Sequence, residues 1–88
     1  GTEIDLVGAD HERRYCLVAE CKYRNQKVGI KVLRSLQAKC EQLPVAKDAV
    51  FHYWIFSRMG FDDVLLDMAT RDPYLHLVGM DQLLDQRQ

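Results

Sequence analysis

Two apolar runs separated by a short polar segment are the strongest constraint on this chain. Ile4-Asp5-Leu6-Val7 and Tyr15-Cys16-Leu17-Val18-Ala19 flank Asp10-His11-Glu12-Arg13. Alternating apolar and β-branched residues around a polar loop specify an antiparallel hairpin, with strands near 2–8 and 14–22. The hairpin carries charge inside it, with Asp5 in the first strand and Glu20 and Lys22 in the second. Side chains alternate along a strand, so Glu20 and Lys22 point the same way. A turn centred on His11-Glu12 sets Asp5 opposite Val18 and makes Glu20 its diagonal neighbour, roughly 7–8 Å away. Two carboxylates and an ammonium then converge on one face. Charge in a half-buried strand is costly unless it is paired or bound to a metal. A slip of one residue would put Asp5 and Glu20 on opposite faces.

After a polar connection at 23–27 the pattern turns helical. Val28, Val32, Leu33, Leu36, Cys40 and Leu43 fall on one stripe over 28–43, with Lys31, Arg34 and Lys39 largely off it, and Pro44 closes the helix. Residues 49–56, Ala-Val-Phe-His-Tyr-Trp-Ile-Phe, form an unbroken β-favouring run expected to be a central strand covered on both faces. His52 within it reads as a satisfied core histidine. Gly60 punctuates, and 61–70 reads as a short helix with Phe61, Val64, Leu65 and Met68 inward. Asp62 and Asp63 sit in its first turn, where the helix dipole favours them. Asp72-Pro73 breaks it, 74–78 makes a last strand, and Asp81 caps a final turn carrying Leu83 and Leu84. The order β-β-α-β-α-β-α predicts an α/β (α+β) fold, a mixed sheet with helices packed on its faces.

The 88 residues allow one small domain, with an ordinary globular share of apolar residues. A net charge of −1 does not advertise nucleic-acid binding, but its distribution is uneven. Between Glu20 and Lys39 six Lys/Arg stand against one acid, whereas from Gly60 onward six Asp stand against two Arg. A basic surface beside the hairpin and an acidic one elsewhere are expected. The three cysteines are irregularly spaced, which argues against a disulfide framework and for reduced thiols in the cytoplasm. No CxxC or HxxxH spacing links them with His11, His52 or His76 as a zinc site. No apolar span of about 20 residues suggests a membrane.

The Asp…Glu-x-Lys constellation on adjacent strands resembles the PD-(D/E)xK nuclease superfamily. The string Glu3-Ile4-Asp5 followed by Glu20-Cys21-Lys22-Tyr23-Arg24 is most similar to the nuclease-like domain at the C-terminus of archaeal and bacterial P-loop ATPases. The resemblance covers nearly the whole chain, but the family core begins with a further helix and strand, often with another acid, that has no counterpart here. It implies a restriction-endonuclease-like core, cut from a longer chain that carries an ATPase domain. It implies Mg²⁺ (or Mn²⁺) held by Asp5, Glu20 and the backbone carbonyl of Cys21, whose side chain would face the core. Lys22 would reach the attacking water or the phosphate, and Gln37 would line the site from the following helix. Such an ion makes water nucleophilic near neutral pH and neutralises phosphate oxygens, the two requirements of phosphodiester hydrolysis. Lys27, Lys31 and Arg34 are placed to meet DNA phosphates without reading sequence.

A second reading keeps the fold and drops the chemistry. Glu20 and Lys22 then form an ion pair on a solvated sheet face, Asp5 is a strand-end acid, and the chain is a catalytically inactive interaction or oligomerisation module. A homodimer through the first strand is expected from its exposed edge. A small-molecule enzyme lacks any Gly-rich loop or nucleophile motif.

Overall fold

A computed structural model describes residues 5–80 of the chain. The elements are β1 (Leu6–Ala9), β2 (Tyr15–Lys22), α1 (Ile30–Cys40), β3 (Val50–Ser57), α2 (Asp63–Arg71) and β4 (Leu75–Gly79). They follow the expected order. The beginning of the anticipated first strand and the final helix with Leu83 and Leu84 lie outside the described residues.

The four strands form one mixed sheet in the order β1-β2-β3-β4. β1 runs antiparallel to β2, while β2 with β3 and β3 with β4 are parallel. Two consecutive crossovers, β2-α1-β3 and β3-α2-β4, step the same way across the sheet. Right-handed crossovers that advance in one direction deliver their helices to one face. The core shows this directly. Val32, Leu33, Leu36 and Cys40 of α1 and Leu65 of α2 close over Val18, Ile55 and Leu75, with Val28 and Phe61 filling the ends. Val18 pairs with Tyr53 and Tyr53 with Leu75, so these strand residues share a single side of the sheet.

The expectation of helices on both faces, with 49–56 covered on each side, therefore fails for the described residues. Leu17, Cys21, His52, Trp54, Phe56 and His76 occupy the side that neither α1 nor α2 covers. The aromatic rings there screen one another. Trp54 stacks on His76 at 4.2 Å between centroids, and Phe56 lies 6.3 Å from Trp54. His52 is half-buried on this side, not in the core, and its Nδ1 lies 3.0 Å from Nε2 of His76. One ring supplies the proton and the other the lone pair.

Helix boundaries follow from caps rather than from the apolar stripe. Val28 is buried and in phase with α1, yet it forms a parallel bridge to Phe61. Its N–H donates to the Gly60 carbonyl and its own carbonyl accepts from Asp62, both at 2.9 Å. α1 starts only after Gly29. Gly60 takes φ +82°, a left-handed conformation suited to glycine, and its carbonyl also accepts the Ser57 hydroxyl at 2.8 Å. Asp62 is the N-cap of α2, its Oδ1 accepting the Leu65 N–H at 2.9 Å. Starting there, the inward stripe of α2 is buried Leu65 with partly buried Met68 and Ala69, continuing from Phe61 before the cap. Val64, expected inward, is 57% exposed because a turn of about 100° per residue carries it off that stripe.

The cap also explains a glycine. A Cβ on Gly29 would lie 2.6 Å from Asp62 Oδ2, so the cap carboxylate and a side chain at residue 29 compete for one space. Asp62→Ala is expected to lower unfolding free energy by about 0.5–2 kcal/mol, with Gly29→Ala of similar size. In the Asp62→Ala background the Gly29→Ala penalty should largely vanish. Urea unfolding of the four proteins measures this coupling, and additive losses would contradict the shared space.

Cys40 is enclosed by the core, and burial, reinforced by Cys16, raises its thiol from 9.0 to about 11. The folded chain thus retains a proton that the unfolded chain releases. Its contribution is intact below pH 9 and falls as pH rises towards 11, by about 1.4 kcal/mol per pH unit. Stability curves of the wild type and Cys40→Ala, measured from pH 8 to 11, should converge across that window; parallel curves would count against it.

Candidate functional site

The site begins with a turn. Asp10 Oδ1 accepts the backbone N–H groups of Arg14 at 2.8 Å and Tyr15 at 3.2 Å, while its own N–H donates to the Tyr15 carbonyl at 3.1 Å. The Tyr15 hydrogen bond, helped by those from Arg14 and Arg13, holds the Asp10 carboxyl below its usual range. Arg13 takes φ 59° to close the loop. These bonds centre the turn on Glu12-Arg13, one residue later than the sequence suggested. The ladder consequently pairs Leu6 with Ala19 and Val7 with Val18.

Val7, not Asp5, lies opposite Val18. Asp5 stands in a bend just before β1, and the register extended by one step would bring it level with Glu20, on the expected face, instead of diagonal to it. The exposed Asp5 reaches back to the second strand, where its Oδ2 accepts the Cys21 N–H at 2.6 Å.

Glu20 is 4% exposed and is the only charged side chain buried among the described residues. It lies on the helix-covered face, level with Ile55 of β3. Oε1 accepts from Lys39 Nζ at 2.9 Å, and Oε2 lies 3.3 Å from Lys22 Nζ. Both lysines are partly exposed, so their stems run along the protein and their ammonium groups keep contact with water. The four formal charges of Asp5, Glu20, Lys22 and Lys39 cancel. Burial first, then the charges of Asp5 and Glu20, push the Cys21 thiol's pKa up. The Cys21 side chain does not face the core; it is half-exposed on the side of the sheet without helices.

Lys39 is the residue that sequence reasoning missed. It stands three positions after buried Leu36 and one before buried Cys40, at the margin of the apolar stripe rather than off it. A long side chain at such a margin can reach under the helix to the sheet. Gln37, expected to line the site, accepts a hydrogen bond from Arg34 Nη1 at 2.9 Å. Lys27, Lys31 and Arg34 are exposed, the latter two on the outer side of α1.

Among the described residues, no three His, Cys, Asp or Glu side chains are grouped to hold a metal ion. A cation here would have the carboxylates of Asp5 and Glu20, the neighbouring main-chain carbonyl and water. Mg²⁺ and Mn²⁺ accept such an all-oxygen set, with one or two carboxylates and several waters. The donor chemistry therefore fits a hard divalent ion. The Glu20 oxygens, however, already carry two ammonium groups. No helix among the described residues is long and apolar enough to cross a membrane.

Comparison of the chain with protein-family models, with curated proteins and with solved structures finds no match.

A buried carboxylate that loses one of two donors retains its desolvation cost. Lys39→Met is expected to lower unfolding free energy by about 1–3 kcal/mol. The same substitution in a Glu20→Gln background should cost clearly less, since the charge it served is gone. Urea denaturation of this cycle checks the pair, and equal losses in the two backgrounds would show that Lys39 acts through its stem alone.

Proposed function

We propose that this domain hydrolyses phosphodiester bonds of DNA with Mg²⁺, Asp5, Glu20 and Lys22 forming the reacting centre. The observation that carries the reading is a carboxylate buried in a central strand, paired with a lysine two residues on, next to a residue whose N–H is held by a second acid from just before β1. A stable fold has little reason to bury a lone strand carboxylate, and functional sites are where such costs concentrate. Asp5 and Glu20, with the Cys21 carbonyl, hold the ion. When bound, the ion lowers the pKa of a coordinated water and offsets charge on the phosphate. Lys22 holds its ammonium 3.3 Å from Glu20 Oε2 on a partly exposed side chain, from where it can orient water or contact a non-bridging phosphate oxygen. Lys27, Lys31 and Arg34 supply phosphate contacts that fix the duplex without specifying sequence.

On this reading the mixed β1-β2-β3-β4 sheet is the restriction-endonuclease-like core, belonging with an ATPase domain in a longer chain. Its three free cysteines suit the reducing cytoplasm. β1 is an edge strand with Leu6 and Val7 exposed, and a second copy pairing there would extend the sheet.

The non-catalytic reading also has a specific observation in its favour. Both Glu20 oxygens are satisfied by lysines without any ion. Cleavage assays separate the two. Supercoiled and linear DNA should be cut in Mg²⁺ or Mn²⁺ and spared in EDTA. Lys22→Ala should reduce the rate by about 10²–10⁴-fold, and Asp5→Ala and Glu20→Gln should abolish the metal dependence. Lys31→Ala and Arg34→Ala should each weaken DNA binding and flatten its salt dependence by about one unit of slope. Cleavage that survives Asp5→Ala and Lys22→Ala would sink the assignment. The absence of any cleavage or metal response would leave the interaction module standing.

A further inference from the structure

We infer that Lys39 is the resident cation of this site, and that a divalent ion binds Glu20 by displacing it. The inference rests on the metal-dependent reading above and adds a regulatory exchange to it. Glu20 is buried with both oxygens occupied, the closer contact being Lys39 at 2.9 Å and the longer Lys22 at 3.3 Å. Lys22 shares a strand with Glu20, two residues on. Lys39 comes from another element, the last turn of α1, and 26% of its side chain is exposed. Rotation about its own side-chain bonds carries the ammonium into water, with Leu36 and Cys40 still holding the helix to the sheet.

Charge decides the order of events. With Lys39 in place the four groups sum to zero, and adding a divalent ion would leave +2 beside a buried carboxylate, with an ammonium against the ion. After Lys39 leaves, Asp5, Glu20 and Lys22 sum to −1, and the ion brings the site to +1. Like charges that compete for one carboxylate bind in alternation. The freed lysine would join Lys31 and Arg34 among the exposed cations of α1.

Mn²⁺ alone is the probe, with calorimetry on the wild type, Lys39→Met and Lys39→Arg. Lys39→Met should bind Mn²⁺ about tenfold tighter, within the usual range of coupling between two ligands. Lys39→Arg should restore weak binding. Lysine acetylation read by mass spectrometry gives a second measure: saturating Mn²⁺ should raise labelling of Lys39 in the wild type and leave Lys31 unchanged. An Asp5→Ala, Glu20→Gln variant should lose both responses, which excludes ions bound elsewhere on the acidic surface. Mn²⁺ binding to the wild type with Lys39 labelling constant, or equal affinity in Lys39→Met, would overturn the exchange and leave the metal site intact. No binding to the wild type or to Lys39→Met would overturn both readings.

Discussion

The structure turns on the cost of withdrawing one carboxylate from water. An ionised group inside a sheet that lacked partners would be destabilised by several kcal/mol or would take up a proton. At Glu20 that cost is offset by two ammonium groups that converge on its two oxygens. One donor follows by strand alternation, since Lys22 is two residues along. The other depends on the tertiary fold, since only the β2-α1-β3 crossover brings the last turn of α1 beneath β2. The charge thus ties the hairpin to the helix layer through a contact that apolar packing alone would not specify.

That helix layer is one-sided for a topological reason. Strands that advance in one direction through right-handed crossovers stack α1 and α2 on the same face. The apolar residues of β3 then divide by parity. Tyr53 and Ile55 join the core, while His52, Trp54 and Phe56 lie on the other side, Trp54 stacked with Phe56 and His76 and His52 set edge to face with Tyr74. The run over 49–56 looks symmetric in sequence because both faces carry large apolar groups. Only the sense of the crossovers distinguishes them, and local pattern does not encode that sense.

Strand parity was legible, and with it the shared face of Glu20 and Lys22. The helices were legible as stripes, with ends displaced wherever a cap overrode the stripe. Val28 has the phase of α1 but is captured by Gly60 and Asp62, and Val64 is apolar but turned outward by the Asp62 cap. The turn centre was misplaced because its cause is a side chain: Asp10 accepts two N–H groups and so shifts the loop by one residue. Lys39 was illegible for a different reason. Its helical phase is marginal, and what draws it inward is an acid nineteen residues away.

These two misreadings belong to one chain of causes. Asp10 fixes the loop, and the loop fixes the ladder, which sets Val7 and not Asp5 opposite Val18. Asp5, just before β1, anchors its carboxylate on the N–H of Cys21, the residue after Glu20. Two carboxylates at this end of the hairpin bring two negative charges. One lysine on the same strand offsets half of that charge. A second cation is needed for neutrality, and the fold supplies it from α1. An exposed turn at one end of the hairpin and a lysine in the last turn of a helix thereby serve the same end: they determine how much negative charge the centre of the sheet presents, and to what.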